Sequence, residues 1–188
     1  MMNLKLYSFL GGDAGPWRVV NVRAVRGESL PTVKRLDITN GSGSLVKPAT
    51  TPRWQLQGVV SNERYVTRSE KQRLVERQPV LGRAEATYAT LIPIRKNSEW
   101  WLLPQDERRA IIEEHSLHIA IGLDYLPAIA RRLHHSRDLG EPFDFITWFE
   151  YAPDDADRFD ELLNRLRASA EWRYVDREVD IRLVREPA

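Results

Sequence analysis

The apolar positions in the C-terminal half of the chain repeat with two different periods. Segments in which every second residue is apolar predict strands, and segments with apolar residues three or four positions apart predict helices. In chain order these are a strand at 86–95, a helix beginning at Pro104, an extended segment at 131–138, a strand at 143–151, a helix after Asp155 and a strand at 174–185. The resulting order, β-α-β-β-α-β, is that of a ferredoxin-like unit.

The N-terminal half shows a weaker version of this pattern. Residues 4–10, 17–25 and 54–60 are predicted strands, and residues 39–51, rich in Gly, Ser, Thr and Pro, are a predicted loop. Thr67 and Glu70 have the spacing of a capping box, which predicts a helix that ends near Arg77. These elements are sufficient for a second, degenerate ferredoxin-like copy in an α+β fold.

Composition and charge exclude several classes of protein. With 188 residues, of which 42% are hydrophobic and 29% charged, the chain can bury a sizeable core. It has no apolar run near the roughly 20 residues of a membrane helix, and its first residues lack the apolar stretch of a signal peptide. The net charge of +1 argues against nucleic-acid binding. We expect a cytoplasmic protein with neither a membrane nor nucleic acid as a partner.

Histidines and carboxylates are the candidate metal ligands in this chain. It contains no cysteine, which excludes disulfides, thiol nucleophiles and cysteine-bound clusters. His115 and His118 are three residues apart, so on a helix both could reach one metal ion, although no third ligand has suitable spacing. The alternative places His115 at the surface and packs His118 against its neighbours. His134 and His135 would point to opposite faces of a strand, so at most one of them can face a pocket.

Aromatic residues and one arginine raise the possibility of a ligand-binding cavity. Trp100, Trp101 and the aromatic run at 143–149 could line a wide apolar cavity for a planar macrocycle, although an ordinary core is the commoner reason for such residues. Arg131 follows an apolar stretch, and a buried arginine requires an anion from the protein or from a ligand. The glycines at 11–15 lack the spacing of a nucleotide-binding loop.

Long motifs along the chain resemble those of the chlorite dismutase family. In the second half these motifs are Trp100-Trp101, Glu107-Arg108-Arg109, His118, 125–131, 140–153, Glu171-Trp172 and 179–183. In the first half they are Gly11-Gly12-Asp13, 54–59 and 64–66, followed by 91–96. The resemblance therefore covers nearly the whole chain, which is most similar to the short, dimeric type of the family.

The resemblance implies a haem b protein built as a dimeric α+β barrel. Each chain would form two ferredoxin-like units, with residues 1–85 as the unit without haem and residues 86–188 as the unit that binds haem b (iron protoporphyrin IX). Two chains would associate as a homodimer.

The resemblance also implies the ligand of the haem iron. His118 matches the proximal histidine, Glu171 the carboxylate that binds its other ring nitrogen, and Lys96 the lysine that extends this network. A carboxylate in that position fixes the tautomer and makes the imidazole more electron-rich. His115 matches no ligand of the family, so we expect it to be structural.

On the other side of the iron, the resemblance implies an anion-binding arginine. Arg131 matches the family's distal arginine, which can attract chlorite and retain a hypochlorite leaving group. Gln78 matches a glutamine that bonds near this arginine, and Thr147 and Phe149 match walls of the distal pocket. The other residues expected around the cofactor are Tyr65, Trp100 and Trp101.

The implied reaction converts chlorite into chloride and dioxygen. A ferryl haem and transient hypochlorite would recombine to form the O–O bond. The alternatives are a coproheme decarboxylase, a haem peroxidase-like relative and a non-catalytic haem-binding dimeric α+β barrel. Arg131 argues against the decarboxylase, although Tyr65 could lie near a propionate, and the chain lacks the distal aspartate motif of dye-decolourising peroxidases.

Overall fold

The chain folds around a closed barrel of eight antiparallel strands. The computed structural model describes residues 5–41, 51–60 and 64–186. The strands are β1 (Lys5–Gly12), β2 (Trp17–Arg26), β3 (Arg35–Asn40), β4 (Trp54–Val60), β5 (Tyr88–Lys96), β6 (Ala130–His135), β7 (Phe145–Tyr151) and β8 (Val175–Arg185). Around the barrel their order is β1-β3-β2-β8-β5-β7-β6-β4, and β4 pairs with β1 to close it. The expected combination of helices with a strand barrel is confirmed.

Helices and helical turns connect these strands. The α-helices of the described ranges are α1 (Arg68–Arg77), α2 (Ser98–Leu102), α3 (Gln105–Arg109), α4 (His118–Asp124) and α5 (Ala156–Arg167). A π-helical turn at Ala110–Glu114 joins α3 to the segment before α4. The predicted capping box begins α1, with Thr67 and Glu70 each accepting a hydrogen bond from the other's backbone N–H. No helix in these ranges is long and apolar enough to span a membrane.

The two halves of the barrel have the same strand order. In the C-terminal half it is β8-β5-β7-β6, with helices after β5 and β7, as in a ferredoxin-like unit. In the N-terminal half it is β4-β1-β3-β2, but only residues 13–16 join β1 to β2, where the C-terminal half has its first helices. Two seams make the sheet continuous between the halves, one between β2 and β8 and one between β4 and β6. The division into units at residues 1–85 and 86–188 stays a prediction.

Strand β3 is absent from the sequence-based prediction. Only Leu36 and Ile38 alternate with polar residues there, which is too short a pattern to separate a strand from a loop. Leu36 is completely buried inside the barrel and pairs with Gly11 of β1. The predicted loop at 39–51 therefore begins inside a strand, and its residues 42–50 lie outside the described ranges.

Side chains alternate between the barrel interior and the outer face of the sheet. The interior core is formed by buried residues of the strands and of one connecting segment, among them Phe9, Trp17, Leu36, Leu56, Leu91, Phe143, Ile146, Trp148, Ile181 and Leu183. On the outer face, Ile92, Ile94 and Phe149 pack with the helices. The predicted apolar stripe of α5 is buried in this second cluster through Phe159, Leu162, Leu163 and Leu166. The sheet therefore has one apolar core inside the barrel and a second between its outer face and the helices, and a site next to the helices would lie beside this second core.

The β4–β6 seam places a neutral histidine inside the barrel. His134 is fully buried, its Nδ1–H donates to the carbonyl of Ile146 (2.9 Å), and its Nε2 accepts from Arg132 Nε (3.1 Å). A Cβ atom at Gly58 of β4 would lie 2.6 Å from His134 Cβ, so only glycine fits there. Burial lowers the pKa of His134 to about 4, against a smaller opposing effect of the Ile146 carbonyl.

The stability of the fold should therefore fall on acidification. Between pH 6.5 and pH 4 the His134 ring takes up a proton in the unfolded chain but not in the folded one, which lowers the free energy of unfolding by about 1.4 kcal/mol per pH unit. Urea unfolding at several pH values gives the free energy of unfolding as a function of pH. The slope of that free energy against pH should be smaller in His134→Gln than in the wild type by the equivalent of about one proton. Equal slopes would contradict this account of His134.

Candidate cofactor site

A cavity of about 290 Å³ lies between the outer face of the sheet and the helices. The sheet wall comes from β5, β6 and β7, and the helix wall from α4 and α5. Residues of the N-terminal half, including Tyr65 and α1, contribute a further wall, so the cavity is not confined to residues 86–188. Its lining is mostly apolar with a few polar groups, as is typical of sites for small organic ligands.

His118 enters this cavity from an irregular stretch of helix. The π-helical turn at Ala110–Glu114 precedes it, and Leu117 adopts a left-handed conformation with φ 53°. A left-handed leucine costs about 1–2 kcal/mol, and such strain is concentrated at functional sites. The carboxylate of Glu113 compensates by accepting from the backbone N–H of Ile119 (2.7 Å) at the start of α4. His118 is consequently fixed as the first residue of a capped helix.

A chain of three polar side chains connects His118 with the sheet. The Nδ1 of His118 lies 2.6 Å from Glu171 Oε2, and the Nζ of Lys96 lies 2.7 Å from Glu171 Oε1. Lys96 and Glu171 are both buried, and the hydroxyl of Ser116 accepts from the Glu171 backbone N–H (2.8 Å). Burial by itself raises the pKa of Glu171, but the charge of Lys96 and the His118 ring outweigh it and hold this pKa well below its usual range.

The ionised Glu171 determines which nitrogen of His118 can bind a ligand. A carboxylate can only accept a hydrogen bond, so Nδ1 of the ring carries a proton and Nε2 is the nitrogen left for a ligand. Trp172 stacks near the ring, with centroids 6.4 Å apart, and its own Nε1–H donates to buried Glu178 (2.8 Å). The structure thus brings together His118, Glu171 and Lys96, and it leaves Nε2 as the ring nitrogen that Glu171 does not occupy.

The sheet wall carries Arg131 together with Thr147 and Phe149. Arg131 is half-buried and pairs with Phe149, while Thr147 pairs with the next residue of β6 on the same face, Leu133. The side-chain amide of Gln78 donates to the backbone carbonyl of Arg131 (2.7 Å). Gln78 lies at the C-terminal end of α1, so it connects this helix to the strand that bears the arginine.

His135 is a cavity residue that sequence reasoning did not select. It alternates with His134, as expected of a strand, and lies on the same face of β6 as Arg131. Burial lowers its pKa to about 4, with Arg64 adding to the shift and Asp138 opposing it. Its buried Nδ1 has no hydrogen-bond partner among the described residues. The signal that could have found it is its spacing of four residues from Arg131.

The paired tryptophans occupy different layers. Trp100 lines the cavity, and its ring lies 6.2 Å from that of Tyr65 and 4.7 Å from the Lys96 ammonium. Trp101 is not among the lining residues and stacks on Phe145, which is one, so its contact with the cofactor stays a prediction. Consecutive residues on a helix point about 100° apart, so the two rings cannot share one wall. Trp101 supports the cavity through Phe145.

The described residues contain no cluster of three or more candidate protein ligands for a metal ion. A metal in this cavity would therefore need ligands from another molecule in addition to a protein nitrogen such as that of His118. His115 is exposed and does not line the cavity, which agrees with a structural role.

Comparisons with known proteins agree on one family. The family model "Chlorite dismutase" matches residues 38–186. A chlorite dismutase of Ideonella dechloratans is 36% identical over 87 residues, which is 46% of this chain but only 28% of that protein. The structure of a dimeric chlorite dismutase from Nitrobacter winogradskyi has a TM-score of 0.88 and 57% identity, covering 96% of this chain and 99% of the other. An imidazole complex of the enzyme from Candidatus Nitrospira defluvii has a TM-score of 0.66 at 21% identity, over 98% and 91% of the two chains, and shows the same fold.

Removing the Lys96 ammonium should expose the cost of the buried carboxylate. Lys96→Met leaves Glu171 without its cation, and breaking a buried ion pair in this way destabilises by about 3–5 kcal/mol. Urea unfolding of the protein without added cofactor measures the loss. The control is Lys34→Met, which breaks a surface pair with Asp13 (3.5 Å) and should cost less than about 1 kcal/mol. Equal effects of the two substitutions would contradict the assignment.

Proposed function

The chain belongs to the chlorite dismutase family, and we propose that it binds one haem b in this cavity and converts chlorite into chloride and dioxygen. The observation that carries the proposal is that the helix wall and the sheet wall of one cavity each contribute a different functional side chain. The helix wall presents the Nε2 atom of a histidine whose other nitrogen is held by Glu171, and the sheet wall presents Arg131. The chain spans just over a quarter of the length of its relative from Ideonella dechloratans, so the activity rests on the cavity as well as on the likeness.

The residues of the cavity fit a planar apolar macrocycle with acidic edges. Aliphatic and aromatic side chains of β5, β7, α4 and α5 would cover its faces. Two residues that line this space, Trp100 and His135, each have a buried ring nitrogen without a partner among the described residues, Nε1 and Nδ1 respectively, as expected where a polar group of a ligand is accommodated. When bound, the haem iron supplies the redox chemistry, with His118 as its one protein ligand.

Glu171 and Lys96 would act on His118 from the side of its Nδ1 atom, away from the iron. Glu171 fixes the tautomer of His118 and makes its ring more electron-rich, and Lys96 keeps the carboxylate ionised in a buried place. The ring therefore binds the metal as a strong, fixed donor.

Arg131 would act on the substrate. Chlorite is a monoanion, and a guanidinium in a partly desolvated wall attracts it and can hold an anionic leaving group close to the site. Gln78 does not carry charge. Its bond to the Arg131 carbonyl fixes the backbone from which the guanidinium extends.

We also propose that the barrel consists of two ferredoxin-like units and that two chains form a homodimer. The shared strand order of the halves supports the first statement, and the dimeric relative from Nitrobacter winogradskyi supports the second. The haem would lie against the C-terminal unit, with Tyr65 and Gln78 of the other half beside it.

The direct test is to add chlorite to haem-loaded protein in an oxygen-electrode cell. Release of dioxygen and chloride supports the proposal. Uptake of haem without dioxygen release would instead indicate a peroxidase-like relative, a coproheme decarboxylase or a non-catalytic haem-binding protein.

The metal ligand can be identified with two histidine substitutions. His118→Ala should lose tight haem binding, because the other histidine of the cavity, His135, lies on the sheet wall and not on the helix wall. His115→Ala should keep the haem absorption band, because its ring is exposed outside the cavity. Titration of each variant with haem b, followed by absorbance, measures the difference. Normal haem binding by His118→Ala would refute the assignment.

The role of Arg131 can be measured by its loss. A charge-assisted hydrogen bond contributes about 1.5–3 kcal/mol, so Arg131→Ala should lose roughly ten- to a hundred-fold in kcat/KM. Hypochlorite that is no longer held should escape and bleach the haem, and added methionine, which scavenges it, should protect this variant more than the wild type. Arg158→Ala, which breaks a surface pair with Asp155, is the control. Turnover by Arg131→Ala as fast and as long as wild type would contradict the role.

A further inference from the structure

One side of the cavity is lined by a segment, Tyr65–Gln78, that consists of helix α1 and the few residues directly before and after it. We call this segment the strap. Tyr65, Leu74 and Gln78 of the strap line the cavity. Its apolar packing is limited: the buried residues of α1 are Glu70 and Leu74, Val66 is partly buried against the same cluster, and Val75 is 68% exposed. Leu74 contacts two apolar residues of α4, Ile119 and Leu123. One buried leucine contributes roughly 1.5–3 kcal/mol, which does not hold a ten-residue helix by itself.

Two arginines of α3 tie the first end of the strap. One nitrogen of Arg109 bonds to the backbone carbonyl of Tyr65, and another lies 2.5 Å from Glu70 Oε1. Arg108 donates to the Tyr65 hydroxyl (3.3 Å) and to the carbonyl of Trp100 (3.0 Å). Tyr65 has a left-handed backbone with φ 65°, a conformation that a tyrosine adopts only when its surroundings enforce it. The bonds of Arg109 to the Tyr65 carbonyl and to Glu70, with that of Arg108 to the Tyr65 hydroxyl, provide that constraint.

A hydrogen bond from Gln78 ties the other end. The Gln78 amide donates to the Arg131 carbonyl (2.7 Å), and the Gln78 backbone N–H donates to Leu74 in the last turn of α1. The strap is thus a short helix tied near both of its ends, with Leu74 packed on α4 between them. The strongest of these ties is the ion pair of Arg109 with Glu70, since the carboxylate is buried and the pair is charge-assisted.

We propose that Arg109 is a positioning residue whose ion pair with Glu70 holds the strap against the cavity and thereby limits the rate at which the cofactor leaves. The inference rests on the proposed function, in that the cofactor is haem b. Arg109 is not placed to touch the cofactor, because it does not line the cavity. It acts through Tyr65, whose ring packs edge-on against Trp100 in the cavity wall.

The ion pair can be removed without removing the helix. Glu70 serves both the pair and the capping box, and glutamine retains the capping box. Glu70→Gln therefore removes the charge and leaves the start of α1 intact. Arg109→Gln removes the other partner, and α3, which has no buried residue, does not depend on it for packing. Arg73→Gln, exposed on the same helix, is the matched control.

The experiment compares five haem-loaded proteins: wild type, the two single variants, their double variant and the control. Transfer of haem b to an excess of a haem-scavenging apoprotein is followed by absorbance, and amide hydrogen exchange is measured over residues 66–78. We expect haem loss about tenfold faster in each single variant, with faster exchange confined to the strap. Arg109→Gln also removes the bond to the Tyr65 carbonyl, so the double variant should be no faster than Arg109→Gln alone, because the pair with Glu70 is then already absent. The control should match the wild type, and the thermal unfolding midpoint of the barrel should be unchanged.

Three results would overturn the inference: unchanged haem loss in the single variants, effects that add in the double variant, or exchange that rises across the whole barrel. Failure of the wild type to take up haem would refute the proposed function instead. In that case hydrogen exchange still decides whether the pair holds the strap.

Discussion

The buried carboxylate of Glu171 is the interaction on which the site depends. It is ionised where water cannot solvate it, so Lys96 must lie against one oxygen and His118 against the other. Lys96 ends β5, and His118 begins α4, so one carboxylate fixes the sheet and the helix relative to each other. The left-handed backbone at Leu117 is a local cost of that placement, and the hydrogen bond from the Ile119 N–H to Glu113 offsets it.

The sequence predicts those parts of the fold whose signals are local. The capping box at Thr67 and Glu70, the strand at 54–60 and the apolar stripe of α5 are each complete within one element, and each is found where it is expected. The placement of Arg131 and Gln78 around one cavity follows from family motifs, since no periodicity links a strand with a helix 53 positions away.

What the sequence did not predict depends on contacts between distant segments. β3 is a strand because Leu36 is buried in a closed barrel, and its own pattern is too short to show it. Trp101 and Trp100 have the same residue type, and only helix geometry places one in the cavity wall and the other behind Phe145. The contacts of Arg109 with Tyr65 and Glu70 join two halves of the chain, and neither segment alone indicates them.

Closure of the barrel has a consequence for how the chain acquires its structure. The β2–β8 seam pairs residues as far apart as Trp17 and Arg185, so it can form only after both halves have been synthesised. Until then β2 presents an unpaired edge to other chains, and such edges promote aggregation. The arginines at positions 18, 23 and 26 along β2 keep that edge charged during this interval. In the folded chain the same arginines bond to β8 or to the residue after it: Arg18 donates to Glu186 and Arg26 to the carbonyl of Val175. The charges that protect the unpaired edge of β2 therefore also stabilise the β2–β8 seam once it has formed.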